Sequence, residues 1–554
     1  MKSLLKLSTC AGVILSTLAF SGLAQAEYEK DRTYQLTVLH TNDLHGRFWT
    51  NQNGEYGLAA QKTLIDRIRK EVADKGGDVI LLNAGDYNTG IPESDLQNAK
   101  PDIEAMNAIG YEALTLGNHE FDNPLQLLDM QESWAKFPFL SANVFNKKDG
   151  SLLVKPYTIL DKQGLKVAVV GLTTEDTAKL GNPEFISNVE FIRPAEAAKD
   201  VLASLNSNEK PDIKIALTHM GYYHNAQYGS NAPGDVSMAR ELEKGAFDMI
   251  LGGHSHDTVC INDDGSFNLK YKPGDACKPA FENGTWIMQA GEWGKYVGRA
   301  DFEFKNGDLK LVGYQLIPVN LKDKVKNAEG KTEYVLFQEE IPADQELLAH
   351  LKTYQDKGDE LLGVEVGSVN EKLEGDRNVI RFQQTNLGQL IARSQQERAK
   401  ADVGIMNSGG IRASIEPGKV TYKDILTVQP FGNIISYVEL NGAELIDYLN
   451  VVALKEVDSG AYAQFAGIGM TVDRTAKKVS DVKINGKPLD PKKVYRISLP
   501  SYTAAGGDGY PLVSDNPTYV NTGFVDAESL KLYFEENSPI DAAKFKANEE
   551  IIYK

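Results

Sequence analysis

Ala113-Leu114-Thr115-Leu116-Gly117-Asn118-His119-Glu120-Phe121-Asp122 is the stretch on which the fold turns. Residues 113–116 predict a short buried strand, and Gly117 breaks it. Beyond the break come an amide (Asn118), an imidazole (His119) and, three residues on, the carboxylate of Asp122. Parallel α/β sheets collect ligands outside the carboxyl ends of their strands. Gly-Asn-His alone is more often an ordinary loop than a site. Its meaning comes from four other strand ends equipped in the same way.

Upstream, 34–41 reads as a strand running into Asn42-Asp43-Leu44-His45-Gly46, with a helical pattern over about 57–74 after it. An apolar strand at 78–84 ends at Gly85-Asp86, and a helix near 103–109 leads to the 113–116 strand. Downstream, 166–172 is another buried strand. The strand at 213–218 ends at His219, and the one at 248–251 ends at Gly252-Gly253-His254-Ser255-His256. Strands alternating with helices predict a layered α/β domain, which β-structure over about 285–319 completes. Ile341-Pro342 is expected to open a connecting helix, with Pro342 at its start and Leu347, Leu348, Leu351 and Tyr354 on one face. A second mixed α/β domain follows from Val364. The expected division is a signal segment at 1–26, a catalytic domain at 27–340, a linker helix at 341–363 and a C-terminal domain at 364–554.

A chain of 554 residues is too long for one core. Lys2 and Lys6, an apolar run from about Ala11 to Phe20, and Ala24-Gln25-Ala26 have the pattern of a secretory signal cleaved before Glu27. Cys10 offers a lipid-anchor alternative, but apolar sequence continues past it and the Ala-x-Ala site fits better, so no stable membrane anchor is expected. Residues 1–26 contain two lysines and no acid, so their removal takes the formal charge from −18 to −20. No basic cluster offsets that charge, which argues against nucleic acid or an anionic membrane as a partner. After cleavage only Cys260 and Cys277 remain. In an oxidising compartment such a pair is most simply a disulfide, with a zinc pair as the weaker rival.

Five of the eight histidines, His45, His119, His219, His254 and His256, follow predicted strands and lie near Asp43, Asp86 and Asn118 in the pattern. Any one of them reads best as a hydrogen-bonded loop residue. Chance does not place most of a scarce residue at one edge of one sheet. His40, His224 and His350 are read as structural. Imidazole, carboxylate and amide donors together suit Zn, Mn, Co or Fe, not the oxygen-only shells of calcium. Seven candidate ligands (Asp43, His45, Asp86, Asn118, His219, His254 and His256) are too many for one tetrahedral ion. They fit two ions about 3.5–4 Å apart sharing a carboxylate, and Asp86 is the natural bridge.

Asp43-x-His45, Gly85-Asp86, Gly117-Asn118-His119-Glu120, His219 and Gly252-Gly253-His254-Ser255-His256 resemble, in order, the motifs of the calcineurin-like metallophosphoesterases. From Leu36 to the C-terminus, the chain is similar to the secreted bacterial 5′-nucleotidase/UDP-sugar hydrolase group. The resemblance implies a four-layered α/β/β/α metallophosphoesterase domain, a linker helix and a C-terminal α/β nucleotide-binding domain. It assigns Asp43, His45, Asp86 and His256 to one divalent ion, and Asp86, Asn118, His219 and His254 to the other. Zn is expected, with Mn, Co or Mg as alternatives. Some members carry Gln where this chain has His256, which leaves metal preference open. His119, oriented by Asp122, would assist at the phosphate while a metal-bound hydroxide attacks phosphorus.

Three arginines stand out in the C-terminal half: Arg377, Arg381 and Arg412. Guanidinium forks match phosphate or carboxylate geometry. Surface ion pairs with Glu374 or Asp376 are the plainer alternative. Phe431 and Tyr502 lie among Gly, Pro and Asn, where a base could stack. In the family's nucleotide pocket the positions of Phe431, Asn433, Tyr502 and Asp508 hold base and ribose, and Tyr502 stands where Phe is common. The resemblance also implies rotation of the C-terminal domain. The expected protein is a monomeric periplasmic enzyme acting on nucleotides and nucleotide-sugars. A 2′,3′-cyclic phosphodiesterase/3′-nucleotidase and a non-catalytic nucleotide carrier are the alternatives.

Overall fold

The computed structural model describes residues 28–181, 183–229, 231–326, 331–545 and 551–554; the expected signal segment, Glu27 and Cys10 lie outside them. Among the described residues, no helix is long and apolar enough to cross a membrane.

Every residue of the strand Tyr34–Thr41 except Gln35 is buried. A strand buried along nearly its whole length is covered on both sides. Leu36 and Val38 join the core between two sheets, while Leu39 joins a core under helices. The first sheet runs, edge to edge, Asp308–Pro318, Tyr296–Lys305, Tyr34–Thr41, Asp78–Asn83, Ala113–Thr115 and Phe139–Leu140. Its last four strands are parallel. The second runs Ala280–Glu282, Thr285–Met288, Met249–Leu251, Ile213–His219, Leu165–Thr173 and Tyr157–Lys162, and its central four are parallel. Ile80, Leu82, Val167, Val169, Ile215 and Leu217 fill the layer between the sheets. Ile65, Ile68 and Met106, from the helices Leu58–Asp74 and Lys100–Ile109, cover the first sheet's outer face. Ala198, Leu205 and Val236, from Pro194–Asn208 and Asp235–Glu241, cover that of the second. Helix, sheet, sheet and helix make four layers, and the carboxyl ends of both parallel sets open on one edge.

The connecting helix differs from expectation at its start. It spans Gln345–Leu362, and Pro342 lies ahead of it. Asp344 sets the boundary, because its Oδ1 accepts from Leu347 N at 2.9 Å and satisfies a first-turn donor that proline could not cap. Leu347 and Leu351 are buried against the first helical layer, with Leu348 and Tyr354 packed beside them. The strand expected at 113–116 ends one residue earlier, at Thr115.

The C-terminal half holds a five-stranded sheet, Ala463–Ala466, Val403–Asn407, Val494–Pro500, Ile434–Asn441 and Val520–Val525, and a four-stranded sheet that includes Ile468–Asp473. It has its own cores, around Phe465, Leu449 and Ile497 and around Leu390, Ile425 and Phe534. The helix Pro92–Asp95 approaches the helix Tyr422–Val428 of this half, and an ion pair joins Glu93 to Lys423.

Cys260 and Cys277 form a disulfide across a separation of 17 residues, so the zinc-pair alternative falls away. Closing a loop of this size is worth on the order of 3 kcal/mol in the chain-entropy account. Replacing both cysteines by serine is expected to lower the urea midpoint of the N-terminal half, with the C-terminal transition unmoved. An unchanged midpoint would contradict this.

Candidate metal centre

The centre lies where the carboxyl ends of both sheets meet. The first sheet delivers Asp43 and His45 after Tyr34–Thr41, Asp86 after Asp78–Asn83, and Asn118 and His119 after Ala113–Thr115. The second delivers His219 at the end of its strand, and His254 and His256 after Met249–Leu251. Asp43, His45, Asp86, His254 and His256 all have positive φ, between 50° and 85°. Non-glycine residues rarely adopt this region, and holding one there costs about 1–3 kcal/mol. The loops are therefore bent against local preference so that their side chains converge. Gly117 is required for a different reason. A Cβ there would lie 2.2 Å from Asp86 Oδ1, so a side chain would collide with the central carboxylate.

Three groups have ligand atoms within 4.8 Å of one another: Asp43, His45 and His256; His45, Asp86 and His119; and Asp86, His219 and His254. Asn118 Oδ1 meets His254 Nδ1 at 2.7 Å. The outward imidazole nitrogens are committed elsewhere. His219 Nδ1 donates to Ala84 O at 2.7 Å, and His45 Nδ1 donates to Thr89 O at 2.9 Å. A carbonyl only accepts, so each ring carries a proton there and turns its Nε2 inward. His219 Nε2 faces Asp86 Oδ2 at 3.0 Å, and His45 Nε2 faces His256 Nε2 at 3.2 Å. Nitrogens this close to carboxylates and to each other hold positive charge between them, as a proton or as an ion. The mixed nitrogen and oxygen donors suit borderline divalent ions, and the residues present fit such ions.

The electrostatics point the same way. Burial opposes ionisation of Asp43 and Asp86, yet His256 and His219 hold Asp43 below the usual carboxylate range, and His219 with His119 holds Asp86 well below it. Burial likewise disfavours charge on His219, but Asp86 and Asp43 lift its pKa to about 10. Burial pushes His45 down to about 3 and His254 to about 4. His119 stands apart in its partners. Its Nδ1 is 2.6 Å from Asp122 Oδ2, its backbone N donates to Asp86 Oδ1 at 2.9 Å, and its ring stacks on Phe431 at 5.9 Å between centroids. His40 lies buried in its strand with its pKa lowered by burial to about 3, away from this cluster.

A cavity of about 620 Å³ opens on the centre. Asp86, Asn118, His119, Asp122, His254 and His256 line it together with Arg377, Arg381, Arg412, Phe431, Asn433, Tyr502 and Asp508 of the C-terminal half. The surface ion pairs considered for the arginines are not what forms. Glu374 pairs with Lys372 at 2.8 Å, and among the described residues no carboxylate is within ion-pair distance of any of the three. Burial, and then repulsion from Arg377, pushes Arg381 down to about 9 and lowers Arg412 too. Cations that repel one another at a cavity wall raise the positive potential there. Tyr502 Oη donates to Asp508 Oδ1 at 3.0 Å, and Asn407 Nδ2 donates to Asp508 Oδ2 at 2.8 Å.

Two acidic residues without a role in the sequence reading belong to this site. Glu120 accepts from Gly117 N at 2.6 Å, Asp86 N at 3.0 Å and Tyr87 N at 3.2 Å, tying together the ends of two strands. Burial, with Asp86 nearby, raises it to about 7. Glu292 reaches His256 Nδ1 at 2.7 Å. It follows Thr285–Met288, another parallel strand ending on the same edge, so the rule that found the histidines could have found it.

Residues 36–258 match the calcineurin-like phosphoesterase family, and residues 365–515 match the 5′-nucleotidase C-terminal domain. The chain is 58% identical over 548 residues to the 5′-nucleotidase of Vibrio cholerae serotype O1, with 99% of each chain covered. It is 54% identical over 541 residues to protein UshA of Escherichia coli K12, with 98% of each covered. The crystal structure of a 5′-nucleotidase precursor from Thermus thermophilus superposes with a TM-score of 0.73 at 28% identity, covering 94% of this chain and 99% of that one.

Proposed function

We propose that this chain, which belongs to the 5′-nucleotidase family of calcineurin-like phosphoesterases, releases phosphate from nucleoside 5′-phosphates, and that nucleotide-sugars and other nucleotide pyrophosphates enter the same site. One observation carries the reading: a single cavity is lined both by the imidazole–carboxylate cluster and by three arginines with the rings of Phe431 and Tyr502. Such a lining suits a molecule that carries both a phosphate and a flat base.

Asp43, His45, Asp86 and His256 would hold one divalent ion, and Asp86, Asn118, His219 and His254 the other; zinc is our choice. Bound there, the ions would supply Lewis-acid activation of water and neutralise charge on the phosphate. The chain's own groups supply the rest. Arg377, Arg381 and Arg412 bind and orient the acidic groups, and Phe431 and Tyr502 bracket the base. Asn433 reads the base edge, and Asp508 accepts from ribose. His119, held by Asp122, donates toward the phosphate as charge develops. Catalysis divides between 27–340 and 364–554, joined through 341–363. The disulfide fits an oxidising compartment, and we place the protein in the periplasm as a monomer.

The test is a substrate panel of AMP, UDP-glucose and the cyclic AMP isomers, run after chelation and re-addition of single metals. Release of phosphate from AMP that depends on metal supports the reading. Preference for 2′,3′-cyclic AMP, or tight nucleotide binding with no phosphate released, would overturn it. Base stacking is worth about 1–3 kcal/mol. Phe431→Ala is therefore expected to lower kcat/KM for AMP by about 5–150-fold while sparing ribose 5-phosphate, which has no base. Equal losses on both would remove Phe431 from base recognition.

A further inference from the structure

His256 differs from the other inward-facing histidines in how its proton is fixed. His45 and His219 donate to backbone carbonyls, whereas His256 Nδ1 meets a carboxylate, Glu292 Oε2, at 2.7 Å. The second oxygen of Glu292 is held by Lys295 Nζ at 2.7 Å. The two sides of this pair are about equally sheltered, with 19% of the His256 side chain and 20% of the Glu292 side chain exposed. The backbone around Glu292 is fastened to the loop that carries Asp43. Trp293 N donates to Asp43 O at 2.6 Å, Ala290 N to Asn42 Oδ1 at 2.9 Å, and Asn42 Nδ2 to Gly291 O at 2.5 Å. Three hydrogen bonds thus set Glu292 at a fixed place relative to Asp43, which His256 Nε2 faces at 3.2 Å.

We propose that Glu292 is a positioning residue for the ion that Asp43, His45 and His256 would hold. Its carboxylate keeps the proton on His256 Nδ1, leaves Nε2 bare and aims that nitrogen at the gap beside Asp43. A carboxylate behind a metal-binding histidine fixes the tautomer and raises ligand basicity, and losing it costs about 10–100-fold in metal affinity. Because His256 is the one metal-binding histidine that Glu292 meets among the described residues, the effect falls on one ion of the two. The inference rests on the metal centre of the proposed function.

The test measures metal stoichiometry and affinity against a competing chelator in the whole chain, with Glu292→Met and Glu292→Gln beside the parent. Glu292→Met keeps bulk and removes the acceptor; it is expected to weaken one ion by about 10–100-fold and leave the other within about twofold. Glu292→Gln can still accept from Nδ1 and is expected to recover part of that loss. Absorption of the cobalt-loaded proteins gives a second readout, with the band of one site shifted in Glu292→Met. Parent-like affinity for both ions in Glu292→Met would overturn the inference while leaving the metal centre intact. Equal weakening of both ions, with a lower unfolding temperature of the metal-free protein, would show a structural role and overturn it as well. A parent that binds no ion would overturn the centre and this inference together.

Discussion

Replacing Asp86 by asparagine is expected to lower kcat/KM for AMP by at least about a thousandfold, equivalent to about 4 kcal/mol of transition-state stabilisation. The reason lies in what surrounds the carboxylate. One oxygen faces His219 Nε2 at 3.0 Å and His45 Nε2 at 3.9 Å, and the other accepts from His119 N at 2.9 Å. Asp86 therefore belongs to two of the three ligand groups, and no other carboxylate in those groups does. Asparagine matches its shape but carries no charge and offers one oxygen, so it cannot balance two dications. Elemental analysis after dialysis should find at least one ion lost. Two ions retained, with near-parental turnover, would refute the bridging role.

His119→Asn should show the opposite split. General acid–base assistance is worth about 10²–10⁴-fold, and the loss should appear in kcat with metal content unchanged. His119 sits beside the centre with its proton held by Asp122 at 2.6 Å and its ring against Phe431. Burial disfavours its charged form, but Asp122 and Asp86 overcome that and raise its pKa above the ordinary value. The protonated ring is the form that donates, so kcat in the parent should fall as pH rises through the pKa that His119 has beside the loaded centre. In His119→Asn this limb of the profile should vanish. If metal is lost in step with activity, His119 belongs among the ligands instead.

The fold was legible where local pattern and burial agree. Tyr34–Thr41 is rich in β-formers and flanked by polar turns, so its ends can be read to the residue. The start of the helix Gln345–Leu362 was not, because Pro342 and Asp344 compete as start signals two residues apart and only the capping hydrogen bond decides between them. The histidines announced themselves by falling at strand ends. Glu120 did not, since in an acidic chain one more glutamate carries no signal until its partners are in place, whereas Glu292 follows a parallel strand and was open to the same rule. The arginines were ambiguous for a related reason. Arg377 has Asp376 as its neighbour in sequence, while the cavity that gathers Arg377, Arg381 and Arg412 is built from segments far apart in the chain.

Five residues around the centre are held in left-handed backbone, and this bears on how the protein would live with a changing metal supply. Residues persist in this region only where the structure around them over-determines them, so these loops should need little further ordering when an ion arrives. The conformational cost is met during folding, once, and not again at each loading. Loss of an ion should then leave a chain that keeps its shape, escapes proteolysis and can be refilled by whichever divalent ion is at hand. Such a protein would behave as a socket that outlasts its occupants.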